Sequence, residues 1–292
     1  MKILICGGSG FVGRHLAERL DRQGHEVVRA IRRPMAPSDI AVDFSKDIEE
    51  SVWLPRLKGM QVVINAVGVL RDGKDTPMQR LHAQTPAALY SASAKAGVGR
   101  VVHISALGVD GGIDVPYFST KRIAEQALFS KPMRWLCIRP SVIYGEDGAS
   151  AAMFRRMAAL PMQVLPMGGI QQLQPVHIDD ICDAVSSWLE NPDAKSLLVD
   201  AVGAEPTTMR GMLDSYREQM KRRPAWHVAL PSMLVRLAAL IGDFIPASPM
   251  CSDTYAMLSA GSTADPAGFE NLLGRKPKSY REFITGHPGE AG

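Results

Sequence analysis

The sequence predicts an α/β protein in which a doubly wound parallel sheet carries a small, mainly helical C-terminal elaboration. Three observations predict it. Short apolar runs alternate with longer helical patterns from the first residues onward, as in parallel sheets covered by helices on both faces. A glycine-rich turn joins the first apolar run to the first helical pattern. Of the 292 residues, 46% are hydrophobic and 6% aromatic, which supplies ample Leu, Val, Ile, Ala and Met for a large buried core.

The elements follow in order. Strands are predicted at Ile3 to Cys6, Val27 to Ile31, Val62 to Ala66, Val101 to Ser105 and Trp135 to Ile138. Helices are predicted at Gly13 to Gln23, Gln79 to Ala96 and Tyr117 to Ser130, each long enough for a right-handed crossover. After Pro140 the rhythm gives way to loops rich in Gly, Pro and Met, including Pro161 to Gly169. A helix near Asp179 and a strand at Leu197 to Asp200 return the chain to the sheet. Thr207 to Phe283 is expected to be mainly helical. The expected organisation is thus a nucleotide-binding domain over 1–205 with a loop insertion at about 146–175, a helical substrate or partner region over 206–286, and a flexible tail over 287–292.

Composition excludes several classes. Lys plus Arg number 33 against 30 Asp plus Glu, too even a balance for a nucleic-acid-binding surface. Cys6, Cys137, Cys182 and Cys251 are scattered without metal-ligand spacing, so no metal site is expected and the thiols read as buried and reduced. The N-terminus lacks the zones of a signal peptide, and a cytoplasmic location, with peripheral association at an inner membrane as the variant, is the expectation. The most apolar stretch, Leu230 to Ile245, is interrupted by Pro231, Arg236 and Asp243 and is too short to span a bilayer. Leu230, Leu234, Leu237, Ile241 and Phe244 follow helical spacing, which predicts an amphipathic helix packed on the body, with docking to a membrane or protein complex as the alternative.

The turn Gly7-Gly8-Ser9-Gly10-Phe11-Val12-Gly13 lies between a strand and a helix, the context in which such glycines bind a dinucleotide. Gly7 suits a tight turn, Gly10 the approach of a pyrophosphate and Gly13 close helix packing, while the helix N-terminus offers free amides. Where an NAD-specific protein places an acid, the second strand ends with Arg29, Arg32 and Arg33. Guanidinium groups suit a 2′-phosphate, so NADP is expected over NAD. Asn65-Ala66-Val67-Gly68 closes the strand that begins at Val62 with small residues that let the chain pass a cofactor ribose. Tyr117 and Lys121 are four apart, hence on one helix face, and Ser105 ends a strand at the carboxyl edge of the sheet.

Together the GxxGxxG spacing, the NAVG segment, Ser105 and Tyr117-Phe118-Ser119-Thr120-Lys121 resemble the short-chain dehydrogenase/reductase (SDR) family, in its atypical and extended branches, over about the first 200 residues. The resemblance implies a Rossmann fold and hydride transfer at a nicotinamide. Tyr117 is then the acid/base toward a substrate oxygen, Ser105 a hydrogen-bond donor to it, and Lys121 the group that holds the ribose and lowers the Tyr pKa. It also implies that Asp43 and Phe44 bracket the adenine, and that Pro140 and Val142, within Arg139 to Gly145, pass the nicotinamide. Pro175 to Asp180 resembles the family's return segment, with His177 structural. The family places an Asn where this sequence has His82, which could bind or titrate within a proton relay or mark decayed proton transfer.

The C-terminal pattern Gly242-Asp243-Phe244-Ile245-Pro246, Asp253 to Met257 and Leu273-Gly274 with Pro277 is similar to the branch containing the nucleotide-binding accessory subunit of respiratory complex I. Three functions follow from these resemblances: an NADP(H)-dependent oxidoreductase acting on a carbonyl or alcohol of unspecified structure, a non-catalytic NADPH-binding accessory protein docking a membrane complex, and a sugar-nucleotide epimerase or dehydratase.

Overall fold

The computed structural model describes residues 1–73, 77–245, 248 and 251–284. Pro246, the 285–286 end of the helical region and the 287–292 tail lie outside the described residues. The chain divides into two compact units, Met1–Arg139 with Cys182–Val199, and Pro140–Ile181 with the described residues from 200 on. The expected insertion at about 146–175 and the C-terminal region therefore share one unit.

The central sheet contains β1 (Lys2–Cys6), β2 (Glu26–Ile31), β3 (Ile40–Ala41), β4 (Val62–Asn65), β5 (Arg100–Ile104), β6 (Arg134–Pro140) and β7 (Leu197–Ala201), in the order β7-β6-β5-β4-β1-β2-β3. Pairings from β3 across to β6 are parallel; Ile3, for example, sits opposite Val27 on one side and Val62 on the other. The order reverses at β1, so the carboxyl ends of β1 and β4 flank the crevice where ligands of such sheets collect. The strands are continuous apolar runs because both faces are covered: Ile3, Leu4 and Ile5 of β1 and Val62, Val63 and Ile64 of β4 are wholly buried.

Helix α1 (Phe11–Arg22) buries Gly13, Leu16, Ala17 and Leu20, the one-sided spacing of a helix laid on a sheet. The helical segment before β5 is not uniform. Arg80–Gln84 forms a π turn, and α2 (Thr85–Lys95) follows it. Pro86 has no amide to donate to the carbonyl of His82, so the regular ladder is broken at that turn. Helix α3 (Pro116–Phe129) starts on a proline, whose missing amide costs nothing in the first turn. All four cysteines are buried, and none is disulfide-linked.

In the second unit, Tyr144, Leu165, Met212, Leu213, Tyr216 and Phe283 share a core. Two expectations are corrected there. Met162–Pro166, expected to be loop, pairs in parallel with Trp226–Leu230, expected to be helical, from Trp226↔Met162 to Leu230↔Pro166. That pairing joins segments about 60 residues apart, which local periodicity does not register. The helix Ser232–Asp243 is also turned over. It buries Val235, Ala239 and Gly242, while Leu234, Leu237, Ile241 and Phe244, the predicted inward face, are 49%, 53%, 56% and 88% exposed.

Candidate active site

The first unit builds the site from the ends of β1, β2, β4 and β5. Gly7 has φ 79°, a left-handed conformation in which a side chain is strained, and a Cβ there would also press on the Ala66 carbonyl. A Cβ at Gly13 would overlap the Gly7 carbonyl oxygen, so glycine is what lets α1 start so close to the turn. Gly10 is the N-cap residue of α1 and contributes no side-chain cap, which leaves the first-turn amides to a ligand or solvent. Ser9, Gly10, Arg32, Asp43, Phe44 and Ala66–Gly68 line one cavity with Gly7. Sequence reasoning missed Ile31, Ser45, Val69 and Leu81, which line it too. Their only sequence signal is adjacency to the motifs, and Leu81 reaches the cavity through the tertiary fold.

Several predicted cofactor residues take supporting positions. Asn65 is fully buried, with Oδ1 accepting from the Val67 amide (3.1 Å) and Nδ2 donating to the Tyr90 hydroxyl (3.0 Å). It shapes the turn after β4 and does not line the cavity. Phe11 and Val12 occupy the first turn of α1, Phe11 edge-on to His15 at 5.2 Å between centroids. Pro140 ends β6, and Val142 accepts at its carbonyl from the Val176 amide; both belong to the second unit.

The basic cluster separates into three roles. Arg29 is committed to Asp39 by two hydrogen bonds of 2.9 and 3.0 Å. Asp39 also accepts from the Met35 and Ala36 amides. The net effect of these donors, against the opposing effect of desolvation, holds its carboxyl below the usual range. The acid nearest the end of β2 is thereby saturated and has little left to offer a ribose hydroxyl. Arg32 is exposed at the cavity, and Arg33 is exposed outside its lining. Asp43 lies in the lining, kept below the usual carboxylate range chiefly by the Ser45 hydroxyl at 2.6 Å, and Phe44 packs edge-on to Trp53.

The reactive groups gather at the other carboxyl ends. Ser105, one residue past β5, is buried, and its Oγ has no hydrogen-bond partner. Tyr117 and Lys121 lie one turn apart on α3, with Nζ 5.9 Å from the phenol ring centroid. Lys121 is buried and donates to the Ile104 carbonyl at 2.8 Å; desolvation pulls its pKa down to about 8. The expected lowering of the Tyr117 pKa is not found: desolvation pushes the phenol up to about 12. The ammonium is spent on a carbonyl, and burial outweighs it.

His82 is held by both ring nitrogens. Nε2 accepts from the Val69 amide at 2.9 Å, which requires an unprotonated Nε2. Thr120 Oγ1 donates to the Pro116 carbonyl, so at 3.2 Å it accepts from Nδ1–H of His82. Burial, with the Lys121 charge adding to it, lowers the His82 pKa to about 3. The ring is thus a neutral clamp between the loop after β4 and α3. The hydrogen-bond partners Val69, Thr120 and Ile104 were invisible to sequence reasoning, since each acts through a backbone group or an unremarkable hydroxyl.

A turn closed by glycines, an uncapped helix N-terminus and an orphaned buried hydroxyl fit a dinucleotide with a polar reactive centre. The NAD dependent epimerase/dehydratase family model matches residues 3–198. The chain is 26% identical over 250 residues to the mitochondrial NADH-ubiquinone oxidoreductase 40 kDa subunit of Neurospora crassa, covering 80% of this chain and 63% of that one. It spans 53% to 63% of the length of the curated relatives it matches first. Its fold is similar to that of human epimerase family protein SDR39U1 (isoform 2) with NADPH, at TM-score 0.73, 20% identity and coverage of 97% and 99% of the two chains. It is also similar to UDP-glucuronic acid 4-epimerase from Bacillus cereus with UDP-glucuronic acid and NAD, at TM-score 0.71, 18% identity and coverage of 97% and 96%. On the span of that family match, this chain belongs to the NAD dependent epimerase/dehydratase family, the extended SDR proteins of Rossmann fold.

Proposed function

We propose that the protein is an NADP(H)-dependent oxidoreductase acting on a carbonyl or alcohol. The observation that carries this reading is the polar centre of the first unit, where Ser105 Oγ is buried without a partner and Tyr117 and Lys121 share one face of α3. When bound, the nicotinamide supplies or accepts the hydride. Tyr117, kept protonated by burial, hands a proton to the substrate oxygen during reduction and recovers it in the reverse direction. Ser105 donates to that oxygen, and Lys121 keeps the centre positively charged. His82 positions α3 against the loop after β4. Arg32, exposed at the cavity while Asp39 is saturated, favours a 2′-phosphate and hence NADP over NAD.

The test is turnover of a panel of carbonyl compounds with NADPH, for the native protein and Tyr117→Phe. The variant is expected to retain cofactor and lose at least about a hundredfold in kcat; equal turnover would exclude Tyr117 as the acid. Arg32→Glu is expected to weaken NADPH about tenfold more than NADH, measured by fluorescence titration.

A second reading, a non-catalytic protein that holds NADPH and serves a respiratory complex, is favoured by one observation. Lys121 is spent on the Ile104 carbonyl and does not lower the Tyr117 pKa. Absence of turnover in the native protein, with NADPH that co-purifies and does not exchange, is its expected signature.

A further inference from the structure

The second unit presents an apolar surface that the redox reading does not use. In the paired strands Met162–Pro166 and Trp226–Leu230, the outward residues Met162, Val164, Trp226 and Val228 are 57%, 49%, 81% and 44% exposed, while Gln163 and Leu165, which alternate with them, are buried. Pro231 links this ribbon directly to the helix Ser232–Asp243, whose Met233 and Phe244 are 81% and 88% exposed and lie roughly opposite the buried Val235, Ala239 and Gly242. An ordinary surface helix has the reverse arrangement, and exposed apolar surface of this kind marks a binding face.

Charge identifies what the face fits. The segments that supply the ribbon and the helix carry Arg156, Lys221, Arg222, Arg223 and Arg236, and the acids beside them are Asp243 and Asp214, the second paired with His227 of the ribbon at 3.0 Å. Over the whole chain the balance is 33 to 30. Both acids are engaged: Asp214 with His227 and Arg210, and Asp243 with Ser252, whose amide and hydroxyl donate to its two oxygens at 2.8 and 2.6 Å. A face of Trp, Phe, Leu and Met accompanied by Arg and Lys has the chemistry of an interfacial helix on anionic lipid. No helix among the described residues is long and apolar enough to cross a membrane, so such an attachment lies on the surface.

We propose that the Trp226–Leu230 ribbon and the Ser232–Asp243 helix form a docking face for an anionic lipid surface. The proposal does not depend on the redox reading. Flotation with vesicles of phosphatidylcholine alone, and of phosphatidylcholine mixed with phosphatidylglycerol, tests it. The native protein is expected to float with the mixed vesicles, with roughly a tenfold preference over the neutral ones that falls as salt is added. Leu237→Ser with Phe244→Ser is expected to lower flotation at least about tenfold with an unchanged thermal transition. Arg222→Glu with Arg223→Glu is expected to remove the anionic preference. If the apolar double variant does not fold, the native protein still answers: brominated lipid is expected to quench Trp226 fluorescence, and Trp226→Phe to remove that quenching, because Trp53 and Trp188 are buried and Trp135 is half-buried and stacked on Phe129. Absence of native flotation, equal flotation of the variants, or a native dimer that Leu237→Ser converts to monomer in sedimentation would overturn the proposal, the last by assigning the face to a second copy of the chain.

Discussion

Two helices of this protein depart from ordinary burial in opposite directions. The helix Pro116–Phe129 takes polar groups inside: Thr120, Lys121 and Glu125 are all buried. The helix Ser232–Asp243 turns large apolar side chains outside. Both arrangements are costly for a protein alone in water. In the first case the cost is met within the unit, in part by the Ile104 carbonyl for Lys121 and more fully by the paired Arg139 for Glu125. In the second nothing among the described residues covers the outward side chains. A buried polar group with internal partners belongs to a site assembled by folding, whereas an uncovered apolar face belongs to one completed by another body.

The sharpest way to break this contrast is to remove a compensating partner in the first helix. Arg139 binds Glu125 with two guanidinium nitrogens, the Nε contact at 2.8 Å, and reaches Asp110 at 2.6 Å. Arg139→Met leaves Glu125 buried without its cation and is expected to cost about 3–5 kcal/mol in denaturant unfolding. A cost under 1 kcal/mol would mean that Glu125 is solvated in solution and that α3 is not built around internal pairing.

Lys121→Met is expected to act in the opposite sense, stabilising the protein at neutral pH by about 2 kcal/mol while removing activity. Burial sets the sign. The folded-state pKa of Lys121 is about 8 against 10.5 for the free group, so across that window the unfolded chain binds more protons and native stability rises with pH. The difference between native and variant is therefore expected to shrink from pH 8 upward and to vanish above pH 10.5, where Lys121 is neutral in both states. Thermal unfolding of both proteins across the window measures it, and a constant difference would show that Lys121 is not desolvated.

The smallest effect is expected on the other helix. Leu237→Ser removes a side chain already 53% exposed, so its cost in unfolding is expected to stay within about 0.5 kcal/mol. A cost above about 2 kcal/mol would place Leu237 in a core and dissolve the contrast.

Much of the fold was legible because its cues are local. The run from β1 through the glycine turn to α1 carries strand, turn and helix signals within about 20 residues, and six of the seven strands follow from repetition of such signals, the two-residue edge strand β3 being too short to carry one. The spacing of Tyr117 and Lys121 placed both on one helix face for the same reason. Legibility failed where a partner far along the chain decides the outcome. His82 could be compared with an Asn by position, but its neutrality depends on the Val69 amide and on a Thr120 hydroxyl already committed to Pro116. Arg29 and Arg32 look equivalent in sequence; Asp39 takes the first and leaves the second at the cavity.

The sequence by itself determined the sheet, the dinucleotide turn and the Tyr–Lys stripe, because periodicity and glycine geometry act through neighbouring residues. Only the tertiary structure decided which charges are spent, which proton each ring nitrogen of His82 holds and which face of the Ser232–Asp243 helix meets water. Those outcomes depend on desolvation and on hydrogen bonds between residues distant in sequence, and neither quantity is a property of any single stretch of chain.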